Sequence, residues 1–86
     1  MNSLGSILKE KREKLGISQA QVAEKLKYSS PQFISNWERG LSTPPVTVLR
    51  AIAQIYKMPA ETLFKIYLKA SLKMYEDDLR RKFKKK

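Results

Sequence analysis

Glycine and proline cut this chain into short pieces, and that punctuation constrains its fold more than any other feature. Gly16, Pro31, Gly40, the pair Pro44-Pro45 and Pro59 leave room only for short helices before Ala60, whereas from Ala60 to the end there is neither glycine nor proline. Between the breaks, apolar residues recur three and four positions apart, with no period-two alternation and no internal repeat. The pattern predicts an all-α fold of five helices, over about 4–15, 19–27, 31–38, 46–57 and 60–83, the last much the longest.

Each segment carries its own start and stop signals. Leu4, Ile7, Leu8 and Leu15 mark one side of the first helix, with Ser3 as its cap and Gly16 as its left-handed stop. Ser18 opens the second, with Gln21 three positions on as a capping-box partner and Val22, Ala23 and Leu26 as the buried stripe. After the polar break Tyr28-Ser29-Ser30, Pro31 suits the first position of a third helix that turns Ile34 and Trp37 inward and ends at Gly40. Leu49, Ile52, Ala53 and Tyr56 resume the period in the fourth.

A chain of 86 residues suits one small domain, and its 18 Lys and Arg against 8 Asp and Glu give a formal charge of +10 that favours polyanionic partners. Cysteine and histidine are absent, which removes disulfides, thiolate or imidazole metal sites and the usual nucleophile–base pairs. No enzyme activity, cofactor or metal is expected. No apolar run approaches the roughly 18 residues of a membrane span, and charges interrupt the N-terminal segment where a signal peptide would be apolar. A cytoplasmic location, with no membrane partner, is the expectation.

Two charges fall where hydrophobes belong. Arg12 lies on the stripe of Leu8 and Leu15, and Glu38 follows Ile34 by one turn beside Trp37. Partly buried charges need partners, so the two are expected to pair across the first and third helices, the alternative being that each reaches solvent on its own. With Ile34 and Trp37 inward, Gln32, Ser35, Asn36 and Arg39 occupy the opposite face of the third helix. Amide side chains such as Gln32 and Asn36 make paired hydrogen bonds to the N6 and N7 edge of adenine, whereas Pro31 offers only apolar contact, as to a thymine methyl. Phe33 stands between core and outer face.

The run LGSILKEKREKLGISQAQVAEKL, followed by SPQFISNWERG and a Pro-Pro loop, resembles the lambda-repressor-like, XRE-type helix-turn-helix family over about residues 4–68. The resemblance rests on Leu15-Gly16-Ile17-Ser18-Gln19, Val22-Ala23, Ile34 to Gly40, Leu49, Ile52-Ala53 and Leu63. It implies a five-helix DNA-binding domain, with the third helix in the major groove and the second across the phosphate backbone. By that resemblance the positions of Pro31, Gln32 and Asn36 meet bases, and Ser35 shares their face. Gln19 bonds a phosphate and braces the third helix. Ser18 beside it, and Ser42 and Thr43 in the loop after Gly40, take backbone contacts. That loop lacks the Lys or Arg often found there, so phosphate clamping is expected instead from Lys9, Lys11, Lys27 and Arg39, which equally suit an ordinary charged surface. Two departures stand out: the Leu26–Ile34 connection is one residue longer than the commonest form, and Lys27 stands where a glycine often closes the second helix.

Residues 1–69 are thus read as the DNA-binding domain and 70–86 as a basic helical extension. Across that boundary, Leu68, Leu72, Tyr75 and Leu79 form a short apolar seam, which either packs back on the domain or pairs with a second copy. The reading is a sequence-specific regulator of double-stranded DNA, a repressor, acting as a homodimer at least on DNA. A protein partner, or an antitoxin-like protein- or RNA-interaction module on the same fold, is the alternative.

Overall fold

Ser3 opens the first helix. In the computed structural model, which describes residues 3–85, its hydroxyl accepts the Ser6 amide at 3.2 Å and starts α1 (Leu4–Lys14). Ser18 and Gln21 form a reciprocal capping box at 3.0 and 2.8 Å at the head of α2 (Gln19–Lys25). After the turn comes α3 (Gln32–Glu38), then one 3-10 turn (Val46–Val48), α4 (Leu49–Ile55) and the long α5 (Ala60–Lys84). No strand occurs among the described residues. The architecture is the all-α, five-helix one that the punctuation predicts.

The first four helices end alike. Past each C-terminus one residue turns left-handed, its amide and the next bonding back to two of the last carbonyls: Gly16 and Ile17 to Glu13 and Arg12, Lys27 and Tyr28 to Glu24 and Ala23, Gly40 and Leu41 to Trp37 and Asn36, Lys57 and Met58 to Gln54 and Ala53. Gly16 and Gly40 adopt φ of 69° and 76° without strain. Lys27 and Lys57 are held at 64° and 55°, where a Cβ is unfavourable. The missing glycine of the second helix therefore leaves the motif intact and makes it a strained one.

Leu4, Leu8, Val22, Ala23, Ile34, Trp37, Leu49, Ile52, Ala53, Tyr56 and Leu63 form the core. Short helices such as α2 and α3 owe their order to this packing, each large buried side chain contributing roughly 1.5–3 kcal/mol. Gly5 lets α1 and α3 touch: a Cβ built on it would lie 2.6 Å from the Trp37 carbonyl oxygen and 2.7 Å from that of Glu38.

Three details differ from the sequence expectation. Leu15 is exposed, because as the C-cap it sits at the turn where α1 leaves the core. Pro31 precedes α3 as its N-cap, although its carbonyl already accepts from the Ser35 amide, and the Ser30 hydroxyl accepts the Gln32 amide at 3.1 Å. The fourth helix begins with a 3-10 turn, in a Val46-Thr47-Val48 run whose β-branched side chains crowd a first helical turn.

α5 packs on α4 and α1 through Leu63, with Ile66, Tyr67 and Ala70 half-buried against the core. Beyond that it runs free of the domain, and the molecule measures 46 Å by 26 by 24 Å. Leu68, Leu72, Tyr75 and Leu79 are all exposed, so this seam does not pack back on its own domain.

Candidate nucleic-acid interface

Glu38 anchors the rear of α3. Its carboxylate accepts from Arg12 Nε at 2.6 Å and Nη2 at 3.0 Å, a paired geometry that fixes direction as well as distance. The third guanidinium nitrogen, Nη1, donates to the Ile17 carbonyl at 2.9 Å, so Arg12 also ties down the turn into α2. Gln19 Nε2 adds a bond to Glu38 Oε1 at 2.9 Å. The Glu38 side chain is 2% exposed and that of Arg12 12%, so this network lies largely out of water. The bonded carboxylate raises the Arg12 guanidinium above its usual range, against the opposing effect of burial. Nearby, burial first and then the Glu38 charge push the Tyr56 phenol up to about 12, with Arg12 pulling the other way.

The cross-helix pairing expected from the stripe positions is therefore present, and it joins α1, α2 and α3 in one bonded unit. Of the two roles the resemblance implies for Gln19, the bracing contact is formed.

On the outer side, Gln32 Nε2 donates to Asn36 Oδ1 at 2.9 Å, one helical turn apart. Gln32 is exposed and Asn36 half-buried. The bond uses one of the two Gln32 amide hydrogens, leaving the other and Oε1 without a hydrogen-bond partner among the described residues. Pro31 is exposed beside them and Ser35 half-buried. Lys27 and Arg39, both exposed, stand just past α2 and at the end of α3; Ser18 is exposed ahead of α2, with its oxygen engaged by the Gln21 amide. In the loop after Gly40, Ser42 is exposed and Thr43 half-buried, beside a fully buried Pro44.

Two residues that position this surface are not evident from the sequence pattern. Tyr28, which falls there in a polar break, stacks on Phe33 at 4.9 Å and meets Trp37 edge-on at 5.6 Å, so the turn is packed rather than loose. Phe33 accordingly lies half outside, against Tyr28, rather than in the core. Gly5 is the other, and an isolated glycine inside a helical pattern is its only signal in the sequence.

A short turn joining α2 to an α3 that is locked from behind and polar in front is matched by a family model described as helix-turn-helix, over residues 8–63. The chain belongs to the XRE-type helix-turn-helix family. It is similar to an uncharacterized HTH-type transcriptional regulator of Mycobacterium tuberculosis (strain H37Rv), 38% identical over 60 residues, covering 70% of this chain and 42% of the relative. The HTH-type transcriptional regulator ImmR of Bacillus subtilis (strain 168) is 36% identical over 61 residues, covering 71% and 47%. This helix-turn-helix chain thus spans less than half the length of these relatives. No solved structure gives a significant match. Among the described residues, no helix is long and apolar enough to cross a membrane.

Proposed function

We propose that the protein is a sequence-specific regulator of transcription that places α3 in the major groove of double-stranded DNA and acts as a repressor, binding as two copies. The observation that carries this reading is the Gln32–Asn36 amide pair on the outer side of a helix whose inner side is fixed by Ile34, Trp37 and the Glu38 network. A base-reading side chain discriminates only if its backbone does not yield, and a bonded, buried rear face supplies that rigidity.

Gln32 is the principal reader in this proposal, with a bidentate contact to adenine worth about 1–3 kcal/mol of discrimination. Asn36 orients its amide and offers its own NH2 group to a neighbouring base. Pro31 and Ser35 line the same face, for a thymine methyl and a hydroxyl contact respectively. Phosphates are met by Lys27 and Arg39, by the hydroxyls of Ser18, Ser42 and Thr43, and by the second Gln19 amide hydrogen. A formal charge of +10 supports the sequence-independent part of the affinity. Repression follows where such a site overlaps a promoter, and the protein would then act in the cytoplasm, on the nucleoid.

Selection of bound duplexes from random DNA supplies the operator, and Gln32→Ala with Asn36→Ala then tests the assignment. Preference for the selected site should fall at least tenfold while binding to unrelated duplex survives. Unchanged preference rejects these readers, and selection of no sequence at all rejects the regulator reading.

A further inference from the structure

The exposed side of α5 carries a self-complementary pattern. Phe64, Leu68, Leu72, Tyr75, Leu79 and Phe83 follow one another at intervals of four, four, three, four and four residues. All six are exposed, from 43% at Leu68 to 90% at Phe83. From Leu68 on they lie on the side of the helix turned away from Leu63, Ile66, Tyr67 and Ala70, which face the domain; Phe64, at the near end, is 44% exposed and also lines a shallow groove with Val46, Leu49 and Arg50. Taken from either end the spacing is identical. Phe64 and Phe83, Leu68 and Leu79, and Leu72 and Tyr75 are each equidistant from the midpoint between residues 73 and 74.

We propose that this face pairs with the same face of a second copy, antiparallel, about a two-fold axis through that midpoint. A two-fold interface requires a surface complementary to itself, and an antiparallel helix pair meets that condition when its apolar residues are symmetric about the axis. The pairing sets Leu72 beside the partner's Tyr75, Leu68 beside the partner's Leu79 and Phe64 beside the partner's Phe83, each contact occurring twice.

Charge selects the direction. Lys69 and Glu76 each follow a seam residue by one position, on the same flank of the helix. Antiparallel pairing brings Lys69 of each copy against the partner's Glu76, an opposite-charge contact made twice. Arg80 holds Glu76 Oε2 at 2.9 Å on its own helix, which leaves Oε1 for this contact. A parallel pair would instead bring the basic Arg80–Lys85 ends of the two copies together, with Lys82 beside the partner's Lys82 at the seam. Lys65 and the partner's Lys82 meet only in the outermost layer, where water solvates both.

This deepens the two-copy part of the proposal above by naming its surface, and the contact stands whether or not α3 reads bases. The chain has no cysteine, so single introduced thiols report the register directly. Without DNA, the full chain at micromolar concentration should show twice the 10.0 kDa mass of one copy. Leu72→Asp, at an exposed position, should halve that mass while the helical circular dichroism and melting of the domain persist. Under oxidation, a mixture of Leu68→Cys and Leu79→Cys chains should cross-link. Neither variant should cross-link alone, since each residue then lies about 16 Å along the axis from its own copy. A monomeric wild-type chain, an unaffected dimer in Leu72→Asp, or Leu68→Cys cross-linking to itself overturns the proposal. If the free protein is monomeric yet two copies bind the selected operator, this inference fails and the regulator reading stands.

Discussion

Glu38 at the end of α3 accepts two hydrogen bonds from Arg12, at 2.6 and 3.0 Å, across 26 residues of sequence. The pair replaces apolar contacts that could hold two helices as well, but a forked guanidinium and a carboxylate also fix how one helix is rotated against the other. For a helix that must offer one face outward, rotation matters as much as distance.

Removing either partner strands the other. Arg12→Ala leaves a 2% exposed carboxylate with only the Gln19 amide as donor, and should cost about 3 kcal/mol, as should Glu38→Ala. The double variant should lose clearly less than the sum of the two. Thermal melting of all four proteins checks this; strictly additive losses would mean that the two charges act independently.

Gly5→Ala should destabilise the protein even though alanine favours helix by about 1 kcal/mol. The new methyl meets two backbone carbonyl oxygens at 2.6 and 2.7 Å, which cannot rotate away, so α1 and α3 must separate, at about 2–3 kcal/mol. Because α3 moves, affinity for a selected duplex should fall as well. A melting temperature at or above wild type would show that the helices part without cost.

Lys27→Gly and Lys57→Gly should each raise stability, by about 0.5–1 kcal/mol, since glycine adopts φ of 64° and 55° without the Cβ penalty. The two should then part in DNA binding. Loss of Lys27 removes one proposed phosphate contact and should lower the slope of log affinity against log salt by about 0.9. Lys57, at the end of α4, has no such role and should leave the slope unchanged. Equal slopes for both variants would remove Lys27 from the interface.

Tyr56 makes stability depend on alkaline pH. Its phenol ionises near 12 in the folded chain and near 10 when unfolded, so the unfolded state releases its proton first as pH rises. The contribution is complete below pH 10 and is lost between 10 and 12. Relative to Tyr56→Phe, the wild type should therefore lose on the order of 2 kcal/mol over that window and nothing between pH 7 and 9. Parallel melting curves for the two proteins across the whole range would contradict this.

Local chemistry explains why so much of the fold is legible in the sequence. A serine before each of the first two helices, a glycine after the first and third, and prolines between the rest act within a few residues of themselves, so element order and type follow from short windows. Even the Arg12–Glu38 pair is legible, because a charge on an apolar stripe advertises a need for a partner. Tyr28 and Gly5 are not, since their roles lie in what comes to rest against them.

Sequence alone thus determined that this chain makes five helices, which faces of them are apolar, and that α3 keeps Gln32 and Asn36 on the side opposite Trp37. Tertiary structure decided the rest: how closely α1 meets α3 at Gly5, that Gln19 joins the Glu38 network, that Tyr28 packs the turn, and that the α5 seam remains uncovered. The physical reason is range. Periodicity, caps and backbone preferences act over one or two helical turns, whereas close approach and exposure depend on residues far apart in the chain, and only the assembled core brings those together.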